Sequence, residues 1–292
     1  MSALTIRLAQ PEDKAAVLAF CAQTWEWGDY IADVWDQWLT DAGGKLLVAV
    51  LDGRPVGLEH LRMLAPGECW LEGMRVDPAV RGQGIAGRLN EYAMQEARKQ
   101  GATVARLATH ADNVVAQRLL ERSGFEQIGT FAQYTAPAAD VPGAPLPEVA
   151  GQKDLPALLA VLDRSSIYPA LGGLVYKDWA GRSLTEALIQ ERLVSGNMLV
   201  LRQWDDVQAL AICGPQIPAE PALLVEYIDG TPEGVGSLAY GLRALAAGRG
   251  LEAVVLTLPD LLMLRDGLEG AGYRAEGEGF FLVYERSLET EE

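Results

Sequence analysis

The chain has 292 residues, with 40 acidic against 24 basic side chains and a formal net charge of −16. That excess of carboxylates excludes nucleic acid as a partner, because phosphate binding needs clustered lysine and arginine, and two histidines in all exclude a histidine-rich metal site. Three widely spaced cysteines, Cys21, Cys69 and Cys213, form no C-x-x-C pair, no leader pattern precedes the first strand, and no apolar run reaches the ~20 residues of a membrane span, so a cytoplasmic chain without a metal or a membrane is expected.

In chain order, Leu4 to Leu8 alternates as a strand, and Pro11 opens a helix that runs to Phe20. The loop Thr24 to Tyr30 is dense in aromatics. Its Trp25, Trp27, Asp29 and Tyr30 are candidates to line a substrate pocket, since such sites are concave and rich in aromatic side chains. Trp35 and Trp38, on the following helix from Ile31 to Leu39, read as packing against a sheet. Lys45 to Leu51 is a buried strand, and Asp52-Gly53 turns it into a partner from Pro55 to Met63. Pro66-Gly67 turns the chain again into a strand from Trp70 to Val76.

The stretch that follows carries the most information. After the turn Asp77-Pro78-Ala79-Val80 comes the step Arg81-Gly82-Gln83-Gly84-Ile85-Ala86-Gly87, and then an amphipathic helix with Leu89, Tyr92, Ala93 and Ala97 on one face. Free N–H groups and the positive dipole end at a helix N-terminus form a site for phosphate. Glycines without a Cβ allow a phosphate close approach, and Arg81 adds a positive charge. The same glycines also suit close packing of a helix on a sheet, but the strand, turn and helix context that an anion site requires is complete here.

Thr103 to Thr109 reads as a strand, Asn113 to Phe125 as a helix, and Glu126 to Tyr134 as a hairpin. Ala136 to Pro147 holds four prolines and marks a stiff linker. Beyond it the pattern starts again. Helices are expected over Asp154 to Asp163, Leu184 to Val194, Glu233 to Ala247 and Leu261 to Leu268. Strands are expected over Asn197 to Gln203, Val207 to Cys213, Ala222 to Ile228, Ala253 to Leu258 and Gly279 to Arg286. Both halves place an aromatic after a helix-ending glycine, at Gly124-Phe125 and Gly272-Tyr273, which is the mark of a degenerate repeat of domain size. In the second half Gly234 and Gly236 keep the glycine spacing, but Glu233 takes the position of Arg81 and Asp229 lies nearby. A carboxylate there repels an anion.

The block V-D-P-x-x-R-G-Q-G-I-A, with N-x-x-A-x-x-L and G-F downstream, resembles the GNAT superfamily of acyl-CoA-dependent N-acyltransferases. The resemblance implies an α/β (α+β) fold of two tandem GNAT-like domains, each a mixed, mostly antiparallel sheet flanked by helices. These would be a catalytic domain over 1–136, a proline-rich linker over 137–147 and a degenerate domain over 148–292, a layout similar to mycothiol synthase. It implies acetyl-CoA as co-substrate and a small-molecule amine as acceptor. The main chain of Met74, Arg75 and Val76 would meet the pantetheine arm, and Arg81, Gly82, Gln83, Gly84, Ile85, Ala86 and Gly87 would hold the pyrophosphate. Asn113 would reach the pantetheine or phosphate side. The block Glu72 to Val76 is also similar to GNATs of the histidine N-acetyltransferase type.

Acyl transfer to an amine needs a base, because an alkyl ammonium has a pKa near ~10.4. Glu72 is the candidate on the motif strand, where strict alternation places it on the same side as Met74 and Val76; it also reads as a solvated strand carboxylate. His110 is a second candidate base, or a satisfied loop histidine. The family's acid, a tyrosine, is replaced by Leu120, so Tyr134 is the candidate acid. Cys69 is not expected to act as the nucleophile of a covalent acyl-enzyme, because nothing near it in the sequence marks it as activated. The departure at Leu120 keeps open a non-catalytic reading, an acyl-CoA-binding sensor.

Overall fold

The computed structural model describes residues 4–22, 24, 28–177, 179–214, 221–276 and 279–289. Trp25 and Trp27 lie outside the described residues. In chain order the elements of the first half are β1 (Leu4–Leu8), α1 (Lys14–Cys21), α2 (Ile31–Thr40), β2 (Gly44–Leu51), β3 (Arg54–Ala65), β4 (Glu68–Val76), α3 (Ile85–Lys99), β5 (Val104–His110), α4 (Val114–Arg122) and β6 (Glu126–Pro137). The second half runs β7 (Glu148–Val149), α5 (Leu155–Asp163), α6 (Ile167–Ala170), β8 (Leu174–Lys177), β9 (Ala180–Ser183), α7 (Glu186–Val194), β10 (Met198–Gln203), β11 (Asp206–Cys213), β12 (Ala222–Gly230), α8 (Pro232–Gly248), β13 (Ala253–Leu258), α9 (Leu262–Gly270), β14 (Arg274–Ala275) and β15 (Phe281–Ser287). The run β2-β3-β4-α3-β5-α4-β6 therefore recurs as β10-β11-β12-α8-β13-α9, followed after the short β14 by β15. The expected repeat is a repeat of structure.

The chain forms two compact units. One holds residues 1–108, 114–126 and 284–292, and the other residues 109–113 and 127–283. In the first, β1 to β4 form an antiparallel meander, β5 adds in parallel, and the C-terminal part of β15 follows beside β5. Arg106 on β5 fixes that neighbour, donating from Nε to Glu285 at 2.6 Å while its Nη1 reaches Glu68 at 2.5 Å. In the second unit β6 pairs antiparallel with β13, which runs parallel to β12, and β11, β10 and β7 complete the order. The last strand of each half thus completes the sheet of the other half's unit. The stretch expected to form a hairpin at Glu126 to Tyr134 is a single strand for this reason: Ala132 to Pro137 each find a cross-strand partner on β13, so the chain has no cause to turn back.

Alternation and burial agree in the first unit's core. Val17, Ile31, Trp35, Leu46, Val48 and Leu58 pack together, with α1 and α2 on β2 and β3. Trp35 is fully buried, as expected for a packing residue. The core also holds an ionisable group. Glu59 on β3 is almost wholly buried, and burial holds its carboxyl well above the ordinary range. A native state that keeps a proton which the unfolded chain gives up above about pH 4.3 loses stability as pH rises from there towards the folded-state pKa. Glu59→Gln is therefore expected to raise Tm at pH 8 and to flatten the fall in Tm between pH 5 and pH 8. Thermal denaturation of both proteins across that range checks it; parallel curves would show that Glu59 is ionised in the fold.

Candidate active site

The site begins with a break in β4. Register runs His60↔Glu72 and then Leu58↔Arg75, so one extra residue stands on β4. Gly73 has φ +70°, and a Cβ on it would lie 2.6 Å from the Trp38 ring, so only glycine fits this bulge. Bulges bend a strand and re-aim its side chains. Here the ladder between β4 and β5 holds only at Glu68, Cys69 and Trp70, and the chain from Leu71 to Val76 leaves β5. The bulge also overturns the strict alternation: Glu72 and Arg75 are the pair that share a face, because their partners His60 and Leu58 do.

Past Val76 the chain is pinned before it reaches the helix. Asp77 N donates to Val56 O at 2.9 Å, its carboxylate accepts from Ala79 N at 2.9 Å, and it pairs with Arg54. Arg81 folds back, with Nε 3.2 Å from Val76 O. Gly82 and Gly84 have φ of +79° and +76°, and no atom lies within 4 Å of where a Cβ would stand on either. Gly84 is the N-cap of α3 and supplies no side-chain cap, so the first N–H groups of a 15-residue helix face an open, glycine-lined space. Gly87 sits one turn in, and Leu119 on α4 lies 3.9 Å from its Cβ position. Such a cradle suits a phosphate.

A second cluster lies on the Glu72 and Arg75 side of β4. His60, fully buried on β3, places Nδ1 2.9 Å from Glu72 Oε1. Its Nε2 is 3.7 Å from Asp41 Oδ2, and its ring stacks on Trp38 with centroids 4.5 Å apart. Arg62 Nε stands 3.7 Å from the same Glu72 oxygen and makes no hydrogen bond among the described residues. Arg75 Nε donates to Asp29 Oδ2 at 2.8 Å, and its guanidinium lies 5.3 Å from the centre of the Tyr30 ring. Tyr30 meets Trp38 edge-on, and burial raises the Tyr30 hydroxyl pKa while Arg75 opposes the shift. Of the residues expected from sequence, Asp29, Tyr30, Glu72, Met74, Arg75, Val76 and Arg81 to Gly87 fall in this one unit. Asp41, His60 and Arg62 were not foreseen. The signal was present in an apolar strand that carries Glu59, His60 and Arg62 in four residues.

His110, Asn113 and Tyr134 belong to the other unit. His110 packs edge-on against Phe281 and has Nδ1 3.7 Å from Asp112 Oδ2. Asn113 N donates to His110 O at 2.9 Å just before α4. Tyr134 is buried on β6 opposite Leu256, and burial followed by Asp260 raises its hydroxyl pKa. Leu120 is buried. Burial pushes the Cys69 thiol up to about 12, which removes it as a thiolate nucleophile near neutral pH.

In the second half the corresponding helix is closed. α8 starts at Pro232, directly after β12, with no glycine step between them. Thr231 caps it by accepting from Gly234 N at 3.0 Å, and a Cβ on Gly234 would lie 2.5 Å from Gln208 O. Glu233 therefore replaces nothing: it is an exposed first-turn carboxylate, favourable at a helix N-terminus. Gly234 and Gly236 are packing glycines, the latter against Gly267.

The model of the acetyltransferase (GNAT) family matches residues 13–125, which span the bulged strand, the glycine step and α4. That stretch is similar to the GNAT family. Among curated relatives, the chain is 26% identical over 216 residues to histidine N-acetyltransferase of Xenopus tropicalis, covering 69% of this chain and 66% of that protein. It is 32% identical over 108 residues to N-acetylaspartate synthetase of Rattus norvegicus, covering 37% of this chain and 36% of that one. The chain thus spans less than two thirds of the length of either relative. A GCN5-related N-acetyltransferase from Sphaerobacter thermophilus superposes with a TM-score of 0.61 at 15% identity, over 98% of this chain and 96% of that one. At that identity the likeness is one of fold, and it extends over both halves.

Proposed function

We propose that the first unit transfers an acetyl group from acetyl-CoA to the amine of a small molecule, by direct attack in a ternary complex. The observation that carries this reading is the uncapped N-terminus of α3 behind two open glycines, placed at the end of a strand that parts from its neighbour. The α3 N–H groups and Arg81 suit the pyrophosphate, and the main chain of Met74 to Val76, off the β5 ladder, suits the amides of the pantetheine arm. An N–H of the same stretch can receive the charge that develops on the thioester oxygen.

Glu72 serves as base. His60 holds its carboxylate at 2.9 Å, and the exposed edge of Glu72 faces the acceptor. The departing thiolate needs little help, since a thiol has a pKa near ~8.5. The acceptor class favoured by the charges is a free amino acid. Glu72 takes the ammonium, and the guanidiniums of Arg62 and Arg75 flank it for a carboxylate. The relatives act, by their names, on histidine and aspartate, which agrees. Asp29 and Tyr30 hold Arg75 in place. The halves 1–136 and 148–292 read as tandem domains joined by 137–147, and the second has lost the phosphate site.

A buried leucine at position 120, where the resemblance places a tyrosine, favours a second reading, an acyl-CoA sensor without turnover. Native mass spectrometry with acetyl-CoA, followed by a thiol-release assay over amino acids and simple amines, tests both. One equivalent bound per chain with thiol release is the expected result. Binding without release under any amine would support the sensor, and two equivalents or none would overturn the assignment of the α3 site.

A further inference from the structure

The second half has lost its phosphate cradle but retains a cavity, of about 260 Å³, wholly within its own unit. Its floor is one face of three neighbouring strands. Leu224 pairs with Val255, and Thr257 with Gln133, so these four side chains project together from β12, β13 and β6. Its wall is the hairpin β8–β9, which has no counterpart in the first half and brings Tyr176, Lys177 and Trp179 over that floor.

Two observations set this place apart from ordinary packing. Trp179 holds φ +64°, a conformation that a bulky side chain adopts only at a cost. That cost keeps a large ring at the cavity's edge, against Phe131 and Phe281, while 42% of the residue stays exposed. The second observation is charge. Glu226, at the cavity, is neutralised by Arg192, whose Nη2 lies 2.8 Å from its Oε2. Lys177 and Glu276 line the same cavity, and neither has an ion-pair partner among the described residues. One cation and one anion at an aromatic-walled pocket, over a floor half apolar and half uncharged polar, are complementary to a small zwitterion. The volume falls below the roughly 300–1,000 Å³ of sites for drug-sized ligands, so it suits a molecule the size of an amino acid and not a coenzyme.

We propose that this cavity is a binding site for a free amino acid, separate from the acetyl-transfer site and without catalysis of its own. Lys177 takes the carboxylate, Glu276 the ammonium, and the Trp179 ring covers the side chain. The missing phosphate cradle explains why the site binds and does not transfer.

The test uses the full chain without acetyl-CoA. The proteinogenic L-amino acids are screened by thermal shift, and those that raise Tm are measured by calorimetry on the wild type, Lys177→Glu, Trp179→Ala and Arg75→Ala. Lys177 is exposed and its replacement leaves the core untouched, while the ligand-free Tm of Trp179→Ala checks that loss of the ring against Phe131 leaves the chain folded. The expected result is at least one amino acid whose Kd rises about tenfold or more in each pocket variant and stays within about twofold in Arg75→Ala. No binding below about 10 mM overturns the proposal, as does binding that both pocket variants retain or that Arg75→Ala weakens equally. Because the readout is binding and the control lies in the first unit, this result stands apart from whether acetyl transfer occurs.

Discussion

Glu72→Gln is expected to lower kcat by about 10²- to 10⁴-fold, the usual contribution of a positioned general base, while acetyl-CoA affinity stays within about twofold, because Glu72 lies away from the glycine step on the other side of the Gly73 bulge. The amide keeps the shape of the carboxylate and can still face His60 Nδ1, so folding and placement are preserved and only proton acceptance is lost. The reacting amine must shed a proton, and the carboxylate beside Arg75, Asp29, is already held by that guanidinium at 2.8 Å, which leaves Glu72 to accept it. The remaining activity should then rise with pH in step with the free amine. Steady-state kinetics from pH 6 to pH 10 measures both effects. Full turnover in Glu72→Gln would remove Glu72 as the base, and an equal loss of acetyl-CoA affinity would make it a binding residue.

The features that carry this reading differ in how far they were legible in the sequence. The glycine step was legible because its physics is local: the turn at Asp77-Pro78, the left-handed Gly82 and Gly84, and the start of α3 lie within nine residues of one another. The Gly73 bulge was not, because period-2 alternation carries no sign of an inserted residue, and the reason for it is a tryptophan ring from α2, which is distant in sequence. That one insertion moved Arg75 to the face of Glu72 in place of Met74. His60 escaped notice for a related reason. It is unremarkable until cross-strand register sets it beside Glu72 and α2 lays Trp38 on its ring. The exchange of β6 and β15 between the two units is a long-range choice of partner, on which local patterning says nothing. In the second half the surviving glycines suggested a damaged phosphate site. The structure gives them another cause: α8 starts at once after β12 and is capped by Thr231, so the glycines serve close packing.

Arg81→Glu is expected to weaken acetyl-CoA binding by about 10²-fold or more, with Arg81→Ala losing about tenfold. The cradle has two parts, the N–H groups of α3 and the Arg81 charge. Alanine removes the second and leaves the first. Glutamate goes further and sets a carboxylate beside the open end of the helix, where it competes with phosphate for the same N–H groups and repels it. Because Arg81 is exposed, its share of the binding is screened by salt, with a Debye length of ≈ 8 Å at physiological ionic strength. The gap between wild type and Arg81→Glu should therefore narrow as salt is raised, whereas a loss caused by a collapsed loop would not depend on salt. Arg81 is exposed and is held only through Val76 O among the described residues, so neither substitution disturbs the core. Calorimetric titration of acetyl-CoA at low and high salt, with the Tm of each variant as a check on folding, decides the matter. Unchanged affinity in Arg81→Glu would leave the glycines as a packing device and remove the phosphate assignment, and with it the first step of the proposed reaction.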